Sequence, residues 1–288
     1  MTRKPKSRLP PKLPDPARDR PPREPEGPSV RELLKREHVA GRSQRFGRDE
    51  IVGIMRRVAH GAPATRLGLP PFEALTQVHV EAAMATVFGW EGDGPRARIA
   101  PANTVAGFTA ACERLLEVAR DGGRVAFATT RPASLLAVYR RLVARAGAAG
   151  ADVLSGDETA GFGPASRRVR WIDRVAVLTD GAALLGDDSV EAASEWLFTL
   201  PRPDLVVCDR TYAGVASGAG LEVVAFADLD AVALAVAAWQ GRALRIVPLD
   251  DRRPPHAYSC LLELLETLAG APPTPLTVSS IADEKSPS

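Results

Sequence analysis

The chain has 288 residues, 45% of them hydrophobic and 25% charged, with a formal net charge of +2. That length and apolar fraction allow a sizeable core within one large domain. The small net charge argues against a folded surface built for nucleic acid or membrane, and no apolar run approaches the roughly 18 residues that span a bilayer.

Cys112, Cys208 and Cys260 lie far apart in apolar stretches and form no C-x-x-C pair, so they read as reduced core thiols. The charged N-terminus has no apolar signal region, and the expected location is the cytoplasm.

Residues 1–28 are Pro-rich and basic without apolar periodicity, which predicts a disordered tail. Ser29 to Glu32 is a capping box that opens a short helix with Leu33 and Leu34. Helical spacing of Ile51, Ile54, Met55 and Val58 predicts a second helix over 48–60. A third follows Pro70 and Pro71 with Leu75, Val78, Ala82 and Val87, and Thr104 reads as the N-cap of a fourth. Residues 29–120 are therefore expected to form a helical lead-in packed on a later sheet.

From Arg124 the pattern changes to short apolar strands alternating with helices. Strand 125–129 precedes helix 132–149, a short strand sits at Val153 and Leu154, and 157–164 is a Gly-rich polar loop. Strands 167–171 and 175–179 share a tight connection; helix 190–198, strand 205–208, helix 212–219, strand 222–226, helix 229–240, strand 244–248 and helix 258–268 follow. Strands that are apolar throughout, such as Leu205 to Cys208, belong in a sheet covered on both faces. The expectation is a doubly wound, mainly parallel, Rossmann-like α/β core over 121–270, followed by a disordered tail over 271–288.

In such sheets ligands lie beyond the carboxyl ends of the strands. Strand 125–129 runs into Thr129, Thr130, Arg131 and Ser134 at a helix start, where free N–H groups and the helix dipole suit a phosphate; Thr130 as a plain helix cap is the competing reading. Asp180, Asp209 and Asp228 end three further strands, and clustered carboxylates favour a hard cation such as Mg²⁺. Each could instead cap its own helix, or Arg131 and Arg210 could neutralise them and leave a metal-free site. Strand 244–248 ends in Asp250, Asp251, Arg252 and Arg253. His38, His60, His79 and His256 show no metal-ligand spacing, and no P-loop, G-x-S-x-G or H-E-x-x-H motif is present.

Across about 99–265 the chain resembles a family of actinobacterial phosphatases of unestablished substrate. The resemblance rests on Arg124-Val125-Ala126-Phe127-Ala128-Thr129-Thr130-Arg131-Pro132-Ala133-Ser134-Leu135-Leu136, on Leu178 to Gly181, and on Pro203 to Asp209 with Ala213-Gly214. It continues in Val224 to Asp228, Val247 to Asp250 and Arg253 to Tyr258. Where the family often carries Gly-His this chain has Thr130-Arg131; where it has His before Asp-Gly this chain has Thr179; and Arg210-Thr211 replaces a His-Gly or Arg-Gly pair.

The resemblance implies a phosphatase-like fold that keeps a phosphate and cation site but lacks histidine acid–base chemistry. The resulting expectation is metal-dependent hydrolysis of a small phosphate ester, with a small phosphorylated molecule as the partner, no membrane or nucleic-acid role, and homo-oligomerisation left open. Asp180 and Asp209 would be catalytic; Thr129, Thr130, Arg131, Ser134 and Arg210 would bind substrate; Asp180, Asp209 and Asp228 would hold Mg²⁺. The alternative is a catalytically degenerate phospho-ligand-binding or regulatory pseudoenzyme.

Overall fold

The computed structural model describes residues 27–92, 94–156 and 167–270. The expected tails, apart from Gly27 and Pro28, and the loop 157–164 lie outside the described residues. Ser29 accepts from the Glu32 amide while Glu32 reaches back to the Ser29 amide, and this box starts helix α1 (Val30–Arg36).

The next element departs from the all-helical expectation. Strand β1 (Gly41–Gly47) pairs antiparallel with β2 (Arg96–Ile99), so a separate two-stranded sheet brackets helices α2 (Arg48–Ala59) and α3 (Gln77–Phe88). Its sequence is polar and shows no alternation a periodicity search would find. Helix α4 (Pro101–Arg120) starts with Pro101 in its first turn, which places Thr104 inside the helix and buried rather than at the cap.

The central sheet is mixed and mostly parallel, with helices packed against it. Its parallel strands are β3 (Arg124–Thr129), β6 (Val175–Thr179), β8 (Leu205–Asp209), β9 (Val223–Ala227) and β10 (Leu244–Pro248). Strand β5 (Arg168–Ile172) joins antiparallel to β6, as does the two-residue β7 (Leu184–Leu185), and β4 (Asp152–Val153) pairs with the start of β3. The order is β10-β9-β8-β3-β6-β5. Among the parallel strands chain order therefore runs outward in both directions from the adjacent pair β3 and β8, the place in such sheets where ligands lie beyond the carboxyl ends. Every residue of β6, β8 and β9 is buried, as their unbroken apolar runs require.

Helices α5 (Pro132–Ala148), α6 (Val190–Phe198), α7 (Arg210–Gly218), α8 (Val232–Trp239) and α9 (Ser259–Leu268) complete the described chain. Helix α3 packs on α8, α1 contacts α4 and α9, and α4 lies along β10. Close approaches to backbone carbonyls demand glycine at positions such as 214 and 107. A Cβ on Gly214 of α7 would stand 1.8 Å from the Leu67 carbonyl oxygen, and one on Gly107 of α4 would stand 2.5 Å from the Ile246 carbonyl oxygen. The three cysteines are free and buried, and among the described residues no helix is long and apolar enough to cross a membrane.

Candidate functional site

At the carboxyl ends of β3 and β8 Asp209 is fully buried and its carboxylate is surrounded by donors. Oδ1 accepts from the Thr130 amide at 2.7 Å and the Thr130 hydroxyl at 2.8 Å; Oδ2 accepts from the Thr129 hydroxyl at 2.5 Å and from Tyr139 of α5 at 3.3 Å. Burial pushes the Asp209 carboxyl upward, against the pull of these hydrogen bonds. The Arg131 amide in turn donates to Thr129 Oγ1 at 2.9 Å. The turn after β3 is thus tied to the end of β8, and both threonine hydroxyls are spent inside the protein.

Above this clamp lie two buried arginines held by carboxylates. Arg131 donates to Asp188 at 3.1 Å and to the Thr130 carbonyl at 3.0 Å. Arg210, in the left-handed region with φ +43°, donates to both Asp188 oxygens at 2.8 Å and to Asp230 at 2.6 Å. Burial acts to raise the Asp188 carboxyl, but Arg210 and Arg131 outweigh it and hold it below its ordinary value. Both guanidiniums also face one oxygen of Asp251, with Arg131 Nε at 3.5 Å and Arg210 Nη1 at 3.7 Å. That oxygen, Oδ2, and Arg131 Nε are buried and have no hydrogen-bond partner.

Asp251 joins this arginine pair to an acidic group. Asp228, Asp250 and Asp251 are all buried and bring carboxylate oxygens within 4.8 Å of one another, hard oxygen donors of the kind a divalent cation takes; they form the one such group among the described residues. Burial, then repulsion from Asp251, Asp230 and Asp250, pushes Asp228 well above the carboxylate range. Burial pushes Asp251 up to about 6, against the opposing pull of Arg210 and Arg131. Arg45 of β1 reaches all three carboxylates: its Nη1 is 2.8 Å from Asp228, 3.5 Å from Asp251 and 3.8 Å from Asp250. The Asp250 amide donates to the Val39 carbonyl at 2.8 Å, which fastens this strand end to the segment leading into β1.

The residues singled out from sequence are therefore distributed unevenly. Arg131, Arg210, Asp209 and Asp228 meet in one buried region, with Ser134 buried in the first turn of α5. Asp180 does not join them. It is exposed, and its carboxylate accepts from the Ala183 amide at 2.8 Å and the Ala182 amide at 2.9 Å, bonds that hold it below its ordinary value. The three expected metal ligands are not gathered as a set: of Asp180, Asp209 and Asp228, only Asp228 belongs to the acidic group. Thr129 and Thr130 face Asp209 rather than an anion seat, because a buried carboxylate must collect donors. Arg45, Tyr139 and Asp188 carry no local signal in the sequence, whereas Asp250 and Asp251 stand as a doublet at a strand end and Asp250 also closes a family-like run. That doublet was the available signal.

The family described as Phosphatase matches residues 25–271, which include every residue of the site. The chain belongs to that family. It is also 33% identical over 251 residues, 83% of this chain and 94% of the relative, to Phosphatase SCO2771 of Streptomyces coelicolor.

Proposed function

We propose that this member of the Phosphatase family hydrolyses a small phosphate ester in the cytoplasm, in a reaction that depends on a divalent cation such as Mg²⁺, on a doubly wound, Rossmann-like sheet. The observation that carries this reading is the meeting, at Asp251, of a buried acidic trio with two buried guanidiniums from the segments that follow β3 and β8. The donor chemistry fits the cation: three carboxylates that repel one another share the space around Arg45 Nη1, itself a positive charge standing among them.

Asp228, Asp250 and Asp251 would hold the ion, which when bound supplies Lewis-acid polarisation of a phosphoryl oxygen. Arg131 and Arg210 would hold the remaining phosphoryl oxygens by charge-assisted hydrogen bonds, exchanging part of their contact with Asp188 for the substrate. Asp209 keeps the turn that carries Arg131 in place. Thr129, Thr130 and Ser134 then act by shaping that turn, and Asp180 takes no part.

Turnover of p-nitrophenyl phosphate and of small sugar phosphates, measured with Mg²⁺ and with EDTA, tests the reading. Activity that needs the ion and is lost in Asp251→Asn supports it; no turnover and no metal-dependent thermal shift would sink it. One observation favours the non-catalytic alternative, a phospho-ligand binder. Arg45, Arg131 and Arg210 each already meet a carboxylate, and His38, His60 and His79 are engaged elsewhere, with Gln44, the Arg56 carbonyl and Trp239. That alternative predicts thermal stabilisation by phosphorylated compounds without product.

A further inference from the structure

We propose that Arg45 is the resident counter-cation of the Asp228–Asp250–Asp251 group, and that a divalent ion binds there by displacing its guanidinium and releasing the segment of β1 that carries it. The proposal rests on the divalent-cation reading above and adds to it a residue that controls access.

Three observations point the same way. Among the described residues Arg45 alone pairs with all three carboxylates, in direct hydrogen bond with Asp228 and within ion-pair distance of the other two, whereas Arg252 reaches Asp251 alone and Arg253 Asp250 alone. It cannot share that space with a second cation. Next, buried Asp251 Oδ2 makes no hydrogen bond, only ion pairs at 3.5 Å to Arg131 and 3.7 Å to Arg210, so this oxygen of the trio is not used up by Arg45.

Finally, Arg45 is mounted so that it can leave. Its side chain keeps 25% exposure while the carboxylates are buried. Between Arg42 and Gly47 strand β1 advances five residues while β2 advances only two, so Ser43 to Phe46 bulge out of the ladder. The bulge is held by the Ser43 hydroxyl, which accepts from the Arg45 and Phe46 amides, by the buried Phe46 ring, by Gln44 with His38 and Arg96, and by the ion pairs of Arg45 itself. Losing those ion pairs removes the bulge's tie to the acidic trio without breaking the central sheet.

The test uses the full chain and metal alone. Mg²⁺ and Mn²⁺ are titrated calorimetrically into wild type, Arg45→Met and Asp228→Asn at pH 8, and amide exchange over Gly41–Gly47 is followed in wild type with and without metal. The expected result is binding about tenfold tighter in Arg45→Met, loss of binding in Asp228→Asn, and faster exchange in the Gly41–Gly47 strand when wild type is saturated. Equal affinity of wild type and Arg45→Met, with binding still lost in Asp228→Asn, would leave the metal site standing and overturn the role of Arg45. No binding by any variant would overturn the metal reading and this proposal together. Should Arg45→Met fail to fold, the wild-type exchange data decide: unchanged exchange at saturating metal overturns the displacement.

Discussion

Replacing Asp209 with alanine is expected to cost the protein about 3 kcal/mol of stability, although no substrate contact is removed. The Thr130 amide cannot turn away, and a buried N–H left without an acceptor costs about 1–3 kcal/mol. The hydroxyls of Thr129, Thr130 and Tyr139 lose their acceptor in the same enclosed space, at about 1 kcal/mol each where rotation finds no substitute. Relief from burying the carboxylate returns part of this. The net of about 3 kcal/mol corresponds to roughly 6–12 °C in melting temperature for a chain of this size. Asp209→Asn keeps an acceptor for Thr130 and the shape of the side chain, so its loss is expected to be about 1 kcal/mol. Urea unfolding followed by circular dichroism, with calorimetry for the midpoint, measures both variants. Asp209→Ala within 1 kcal/mol of wild type, or Asp209→Asn worse than Asp209→Ala, would refute the clamp.

Gly214→Ala forces a Cβ against the Leu67 carbonyl and is expected to lose about 3 kcal/mol or more, whereas Gly147→Ala, with open space around it in α5, should gain about 0.5–1 kcal/mol; chemical denaturation of the pair checks both. Asp228 and Asp251 have folded carboxyls raised above the unfolded value, so their contribution to stability is complete below about pH 4 and is lost as pH rises through about 6 for Asp251 and higher for Asp228. The melting temperature should therefore fall between pH 5 and 7, and Asp228→Asn should flatten that fall; a wild-type midpoint that rises over this range contradicts the assignment. Asp188→Asn removes the carboxylate shared by Arg131 and Arg210 and should tighten inorganic phosphate binding several-fold in a calorimetric titration. Unchanged affinity would show that these two arginines are not the anion seat.

The fold was legible where the chain obeys local rules. Helix 190–198 and strands 175–179 and 244–248 stand at their expected bounds, and the capping box at Ser29 is formed. Strand β8 extends one residue past Cys208, so that Asp209 itself ends the strand. The β1–β2 sheet was not legible because its polar strand is stabilised by partners some fifty residues away, and its bulge breaks the period-two pattern.

The site follows the same division. Topology brings strand ends together, so Asp209 and Asp228 could be placed from sequence. Side-chain direction cannot be read that way: Asp209 turns inward to four donors, while Asp180 curls back onto the Ala182 and Ala183 amides. Arg45 lies 183 residues from Asp228, and nothing in the local pattern links the two.

That separation bears on how the protein is made. The amide of Asp250 is tied to Val39, Arg253 Nε donates to the His38 carbonyl, and Arg45 closes on Asp228 and Asp251. A ribosome adding about 5–20 residues per second needs roughly 10–40 s to pass from the first of these groups to the last. Through that interval the early segment waits without its carboxylates, and a nascent chain has no completed site. Any chemistry at the acidic trio begins only when the strand ending at Pro248 and the two aspartates after it have been added to the sheet.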